Sequence, residues 1–408
     1  MMAKDKRYGG TSARQVTDEN AKVYHFVPFA SQVVSHPIRG HQRLAACCGR
    51  FDCSITAITP VHVADGLIVP TDDLRGHGDI TNLDQDSESL VLSHYRIWCQ
   101  ERASRVRAIP ATSLKGAVRT VVEAVTDSCI CCISRESRSI RETLPVRRDE
   151  KTAFERLSRN CRVDREDLKH GERKKLCPAC RIFGALGFEG HVRFSDALQR
   201  SGDGRIARRP VPNSPNRRGT FLDKYHENVA SAGETGVWRL RGRKVYHHFE
   251  PLRDLSSDLP YEPIEVCNEG STFAFRVAFE NLTLEDLGVL LVGLGQHEDL
   301  TRHSLGASKP FGYGAVSVQI TDAEVCDMNH ELARQRCLEF DVGASVANWK
   351  QTITDAIACS VKPGSGFVDL KRVKALAAIW NPDATVAEHG NDTIELWQKG
   401  QERLKPHP

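Results

Sequence analysis

Between Thr272 and Ile320 the hydrophobic period of the chain changes twice, from strand to helix and back, which excludes an all-α or all-β reading of this stretch. Thr272–Glu280 (TFAFRVAFE) alternates apolar and polar positions, the period-two signature of a half-buried strand. Asn281 and Thr283 then open a helix. Asp286 lies three residues after Thr283 in a capping-box arrangement, and Leu287, Leu290, Leu291 and Leu294 recur at helical spacing. Val316–Ile320 reads as a returning strand after a glycine-rich turn.

The first half repeats the pattern. Arg50–Ile58 alternates through Phe51, Cys53, Ile55 and Ala57, and Pro60 ends it. Leu90–Cys99 reads as another strand. Ala111–Thr126 reads as a helix, entered at Pro110 and capped by Thr112 or Ser113, with Leu114, Val118, Val121, Val122 and Val125 on one face. Gly190–Asp196 is a further short strand. This order resembles the βαββαβ unit of ferredoxin-like and RNA-recognition folds, an α+β class, here with large insertions. The expected organisation is an N-terminal arm over 1–49, a core over 50–326 and a C-terminal helical extension over 327–408. Within the core lie an acidic flexible loop over 65–88, a charged, cysteine-bearing insertion over about 129–180 and a mobile basic loop over about 199–236.

No stretch approaches the roughly 20 apolar residues that cross a bilayer, and the opening MMAKDKRYGGTSARQ lacks the apolar segment of a secretory leader. The expectation is a cytoplasmic protein with no membrane partner. The 14 cysteines are then better read as metal ligands than as disulfides. Cys129 and Cys132 form one C-x2-C pair, and Cys177 and Cys180 another, a spacing that brings two thiolates to one zinc ion. Cys131 and Cys161 are possible substitutes, and a redox dithiol is the competing reading. Four thiolates would fill the coordination sphere, so the zinc would be structural.

Charge is strongly segregated: residues 96–253 carry +15 and the rest −12, within a total of +3. Basic runs at 96–119, 135–175, 200–218 and 239–253 suit a polyanion. Lys115 and Arg119, four apart near a helix start, form a candidate phosphate seat. Arg241, Arg243 and Lys244 lie beside Tyr246, His247 and His248, cations and rings suited to phosphates and unpaired bases. The turn Leu305–Gly314 places Lys309 among three glycines, without the order of a Walker A motif.

Four stretches appear in a telling order: IPATSLKGAVR (109–119), LCPACRIFGALGFEGHVRFSDA (176–197), LRGRKVYHH (240–248) and LGASKPFGYGAV (305–316). Together they resemble the RAMP superfamily of CRISPR-associated proteins, specifically the backbone subunits of type III effectors. KVYHFVPF near the start is similar to the entry segment of a branch related to the modules fused in single-protein type III effectors. The resemblance spans residues 22–320 and leaves the tail outside it. It implies a modified RNA-recognition core that polymerises along guide RNA, holds it by its backbone, and presents target RNA to it alongside other effector subunits. It also implies guide contacts at Ser113, Lys115, Arg119 and Lys309, a thumb-like hairpin, and recurrent metal-binding cysteine pairs. Many such subunits cut the target with an aspartate after the first strand, where a carboxylate can orient the 2′-OH or hold Mg²⁺ or Mn²⁺. The candidates here are Asp72 and Asp73, then Asp65. Relatives of type VII kind leave cutting to a separate nuclease. A stand-alone guide-processing ribonuclease using His191, His247 or His248 is the remaining alternative.

Overall fold

The structure is a computed structural model that describes residues 24–30, 32–41, 44–75, 80–81, 90–129, 161, 163, 175–210, 226–228, 238–240, 242–249, 251, 261–327, 349–364 and 366–380. The core elements are β1 (Cys47–Ala57), α1 (Ala111–Val125), β2 (Val192–Phe194), β3 (Ala197–Ser201), β4 (Thr272–Leu282), α2 (Leu284–Gly293) and β5 (Ala315–Asp327). β5 pairs with β1, β1 with β4, and β4 with both β2 and β3, all antiparallel. Counting β2 and β3 as one broken strand, this is the fourth–first–third–second order of a ferredoxin-like βαββαβ sheet, so the fold class is α+β as expected. Ser104–Ile109 and Arg96–Cys99 extend it beyond β3, and Arg302–Ser304 beyond β5.

The odd residues of β1 and β4 (Phe51, Cys53, Ile55, Phe273, Phe275, Val277 and Phe279) are buried in one cluster with the apolar faces of α1 and α2. Burial of a leucine, valine or phenylalanine side chain stabilises by about 1.5–3 kcal/mol, so this layer dominates the fold. At the start of α2 the Thr283 hydroxyl accepts from the Asp286 amide at 3.1 Å and donates to its carboxylate at 3.0 Å, the anticipated capping box. The start of α1 differs from expectation. Pro110 occupies the cap position without a side-chain bond, and the Ala111 amide donates to Asp196 Oδ1 at 2.6 Å. A carboxylate from the β2–β3 turn does what Thr112 or Ser113 was expected to do.

Several expected loops are structured. Ala64–Pro70, Leu90–His94, Tyr261–Cys267, Gly204–Pro210 and Ile80–Thr81 form a second, five-stranded sheet. The acidic loop over 65–88 therefore contains strand and a short helix, Thr71–Arg75, and the basic loop over 199–236 begins as two strands. Local composition hid these strands because their stability is cross-strand. Arg209 faces Glu262 in register and bonds it at 2.5 Å. Leu90–Cys99 is likewise two strands, split at Tyr95 between the two sheets. The junction of the sheets is a buried charge network: Glu265 accepts from Arg96, from Arg107 Nε at 2.7 Å and from the His94 amide at 2.9 Å.

The C-terminal part contributes α3 (Trp349–Ser360) and α4 (Leu370–Trp380). These do not form a separate lobe, because Ala356, Val373, Leu376, Ile379 and Trp380 join the main core cluster. α3 crosses α2 at Gly288, where a Cβ would lie 2.0 Å from the Ala356 carbonyl oxygen, so only glycine permits that approach. Among the described residues, no helix is long and apolar enough to cross a membrane.

Candidate nucleic-acid interface and metal centre

The sequence between α1 and β2 returns to the core at a short helix, Pro178–Phe183, with Cys177 at its N-cap and Cys180 in its first turn. Their thiols meet those of Cys129, just past α1, and Cys161. Cys129 Sγ lies 3.6 Å from Cys161 and Cys177 and 3.7 Å from Cys180. Zinc–sulfur bonds of about 2.3 Å place tetrahedral sulfurs about 3.8 Å apart, so the quartet has the right edges for a metal, while a disulfide would need about 2.05 Å. The set fits a closed, structural metal. Cys161 supplies the fourth thiol of this group, whereas Cys131 and Cys132 lie outside the described residues. No spacing motif marks Cys161. The Cys161 thiol is drawn below its ordinary value, first by its hydrogen bond with Cys129. The quartet is anchored to the core, since Arg181 of the short helix bonds the buried Asp286 of the α2 capping box at 2.7 Å.

Arg119 belongs to this centre. Its guanidinium donates to Cys180 Sγ at 3.4 Å, to the Gly184 carbonyl at 3.1 Å and to Glu123 at 2.9 Å. A divalent ion with four thiolates carries a net double negative charge, which an adjacent guanidinium offsets. Lys115, one turn earlier, donates to the Val192 carbonyl at 3.2 Å. Its ammonium is pushed below the ordinary lysine value by burial, then by Arg119 and Arg193. Ser113 is half-buried on the first turn. With Asp196 on the Ala111 amide, the helix start already holds an anion of the protein's own.

The basic segment after residue 238 forms a ribbon. Arg243–Tyr246 pairs antiparallel with Tyr24–Val27, aligning Tyr24 with Tyr246. Lys244 Nζ lies 4.1 Å from the Tyr24 ring centroid and 4.7 Å from that of Tyr246, a cation between two half-exposed rings. Arg243 ties the ribbon to α1 through Glu123 at 2.9 Å. Arg241 lies outside the described residues. Tyr24 is a member of this platform that the sequence reading passed over, because its partners are more than 200 positions away. By contrast, the sheet face opposite the helices shows Asp52, Ser54, Thr56, Ala274, Arg276 and Ala278 on β1 and β4. Those two strands offer there none of the aromatic residues on which RNA-recognition modules stack bases.

His247 and His248 do not fit acid–base chemistry on RNA. Both are buried; His247 contacts His25 at 2.6 Å and the Ile379 carbonyl at 3.1 Å, and His248 stacks on Trp380. Burial pushes both imidazoles down to about 3, so neither carries a proton to give near neutral pH. His191 is also buried, with Nε2 held by the Arg39 carbonyl.

The glycine-rich turn spends its amides internally. Ala307 donates to His62, Gly312 to Lys309, and Gly314 to Pro60. Lys309 folds back onto the Gly306 carbonyl, and its ammonium is lowered by burial. The turn therefore acts first as a tight connection rather than as an open cradle of N–H groups. Arg209, from the second sheet, reaches Ser308 Oγ at 2.7 Å beside it.

Of the aspartates, Asp65 accepts from the Leu67 amide at 2.8 Å and Ser93 Oγ at 2.6 Å, and Asp73 is exposed on Thr71–Arg75. The backbone of Asp72 is in that helix, and its side chain lies outside the described residues. Among the described residues, the groups of ligand atoms close enough to share one ion are the cysteine quartet and His41, His191 and Glu280; Asp65 and Asp73 join neither.

A sheet of this order, with a cysteine centre in its insertion and a basic aromatic ribbon beside it, is a ferredoxin-like architecture. The chain belongs to the RAMP superfamily of CRISPR-associated proteins, whose sequence model matches residues 54–317, more than half of its length. Its role is thus CRISPR-associated RNA binding in assembly with other CRISPR subunits. No curated protein matches the chain.

Proposed function

We propose that this chain is a backbone subunit of a class 1 CRISPR effector, of type III or a type III-derived, type VII-like kind. It grips guide RNA irrespective of sequence and presents complementary target RNA, packing against further copies of itself and other subunits. The observation that carries this is the Lys244 ammonium held between Tyr24 and Tyr246, a device for stacking bases while neutralising phosphate. Lys309 and Arg209 lie together at the glycine-rich turn and would meet phosphate only on releasing the Gly306 carbonyl and Glu262. Zinc in the cysteine quartet pins together the ends of the insertion between α1 and β2. The hairpin of Ala64–Pro70 and Leu90–His94, with Leu67, Ile68 and Leu90 exposed, suits a thumb that wedges into the guide–target duplex.

RNA association should weaken steeply with salt as condensed counterions are released. Lys244→Ala should lower the log–log salt slope by about one, and Tyr246→Ala should weaken binding by about 1–3 kcal/mol with the slope unchanged. Filter binding of the purified subunit to guide RNA at several salt concentrations reads both. A flat salt profile would remove the proposal.

Target cleavage is a second reading, favoured by the exposure of Asp73 on the short helix that follows the strand Ala64–Pro70. Labelled target incubated with the assembled effector and Mg²⁺ or Mn²⁺ decides it. Cuts at regular intervals that vanish in Asp73→Ala or Asp72→Ala support cleavage by this chain, and an intact target assigns cutting to a separate nuclease.

A further inference from the structure

Three segments far apart in sequence meet beside the end of β4: Arg39–His41, the Glu189–His191 turn, and Glu280. His41 Nδ1 lies 2.5 Å from Glu280 Oε1 and its Nε2 3.1 Å from the Glu189 carbonyl. His191 Nε2 lies 3.1 Å from the Arg39 carbonyl, and its Nδ1 is buried without a hydrogen-bond partner. The two rings stack with centroids 4.4 Å apart, and one ligand atom from each of the three residues falls within 4.8 Å of the others. His191 is only 4% exposed. Glu280 Oε2 is steadied by Arg193 at 3.4 Å.

A donor count makes this arrangement informative. A neutral imidazole has one N–H, and in both histidines a backbone carbonyl faces Nε2, which therefore carries it. Each Nδ1 is then a bare lone pair. That of His41 points at a carboxylate oxygen, and that of His191 has nothing to accept from. A proton shared by His41 and Glu280 would settle the first contact and leave the second orphaned. A cation settles both. Ligating histidines commonly donate their second N–H to a carbonyl in this way.

We infer that His41, His191 and Glu280 form a second metal site, of two imidazoles and one carboxylate, for a divalent first-row transition ion such as Zn²⁺ or Co²⁺. Bonds of about 2.0–2.2 Å place such ligand atoms about 3.3 Å apart, so the His41–Glu280 contact opens by less than about 1 Å on loading. Three protein ligands leave a position for solvent or a phosphate oxygen, unlike the closed thiolate quartet. The ion clamps the segment before β1 onto β4.

Co²⁺ titration of the metal-stripped full-length chain tests the site, because thiolate ligation gives intense near-ultraviolet charge transfer whereas N/O ligation gives only weak visible bands. The expected result is about one equivalent of cobalt without thiolate absorption, in addition to any bound by the cysteines. His191→Ala and the near-isosteric Glu280→Gln should each reduce that equivalent at least about tenfold in affinity, leaving the thiolate bands intact. A wild-type chain showing no cobalt beyond the thiolate signal overturns the inference, whatever the variants do. So does an N/O signal that survives both substitutions in chains whose melting and circular dichroism match wild type.

Discussion

At the scale of single residues, backbone shape and neighbours decide outcomes that residue type alone does not. Gly314 has φ of 86° and an added Cβ would lie 1.9 Å from the Leu305 carbonyl oxygen, which is backbone and cannot yield. Gly116, in the middle of α1, has nothing within 4 Å of where a Cβ would go. Gly314→Ala should therefore cost several kcal/mol, on the order of 3, while Gly116→Ala should stabilise by about 0.5–1 kcal/mol. Urea unfolding of the two variants against wild type checks the pair; similar midpoints would contradict the geometry. Arg119 shows the same lesson in charge. It sits where a guide contact was expected, yet three of its donors face Glu123, Gly184 and Cys180.

At the scale of elements, the insertion between α1 and β2 is closed at its base by the thiol quartet. Cys161→Ser should lower zinc content as severely as Cys177→Ser, to less than about half an equivalent at the thiolate site, since a structural tetrahedron needs all four ligands. Arg119→Ala should keep the ligands and weaken zinc about 10–100-fold, as loss of an outer-shell partner does. Zinc counted by atomic emission, with a chelator competition for Arg119→Ala, separates the two effects. Unchanged zinc in Cys161→Ser would return the fourth position to another cysteine. α2 illustrates the opposite case, an element whose start and apolar face were readable because the Thr283–Asp286 box and the leucine spacing act within one turn of chain.

At the scale of the whole molecule, acid is the natural weak point. Burial pushes the imidazoles of His94, His247 and His248 down to about 3 and that of His303 to about 4, against about 6.5 in an unfolded chain. These groups are neutral in the folded state, so their contribution is complete above the unfolded value and is lost as pH falls from about 6.5 towards 3–4. Within that window each costs up to about 1.4 kcal/mol per pH unit, because the unfolded chain binds the additional proton. Glu265 adds a later loss. Burial raises its carboxyl, but Arg96, Arg107 and the His94 amide outweigh that and hold it low, so its support fails only below the usual carboxylate range. The melting temperature should be level above about pH 7.5 and fall steeply between about pH 6.5 and 4.5. A level profile down to pH 5 would mean those imidazoles are solvated.

Sequence by itself determined the α+β class, the strand–helix–strand order of the core, the capping box of α2 and the Cys177–Cys180 knuckle. Each is set by periodicity, caps or spacing over a few neighbouring residues, where chain connectivity already holds the groups together. Tertiary structure alone decided that Cys161 joins Cys129, that Tyr24 meets Lys244 and Tyr246, that Arg209 pairs with Glu262 to make strand of a polar stretch, and that His41, His191 and Glu280 converge. These groups are brought together by sheet register and loop return across tens to hundreds of positions. Their side chains obey no local period, and only the folded backbone sets the distances at which charge, thiol and ring can act on one another.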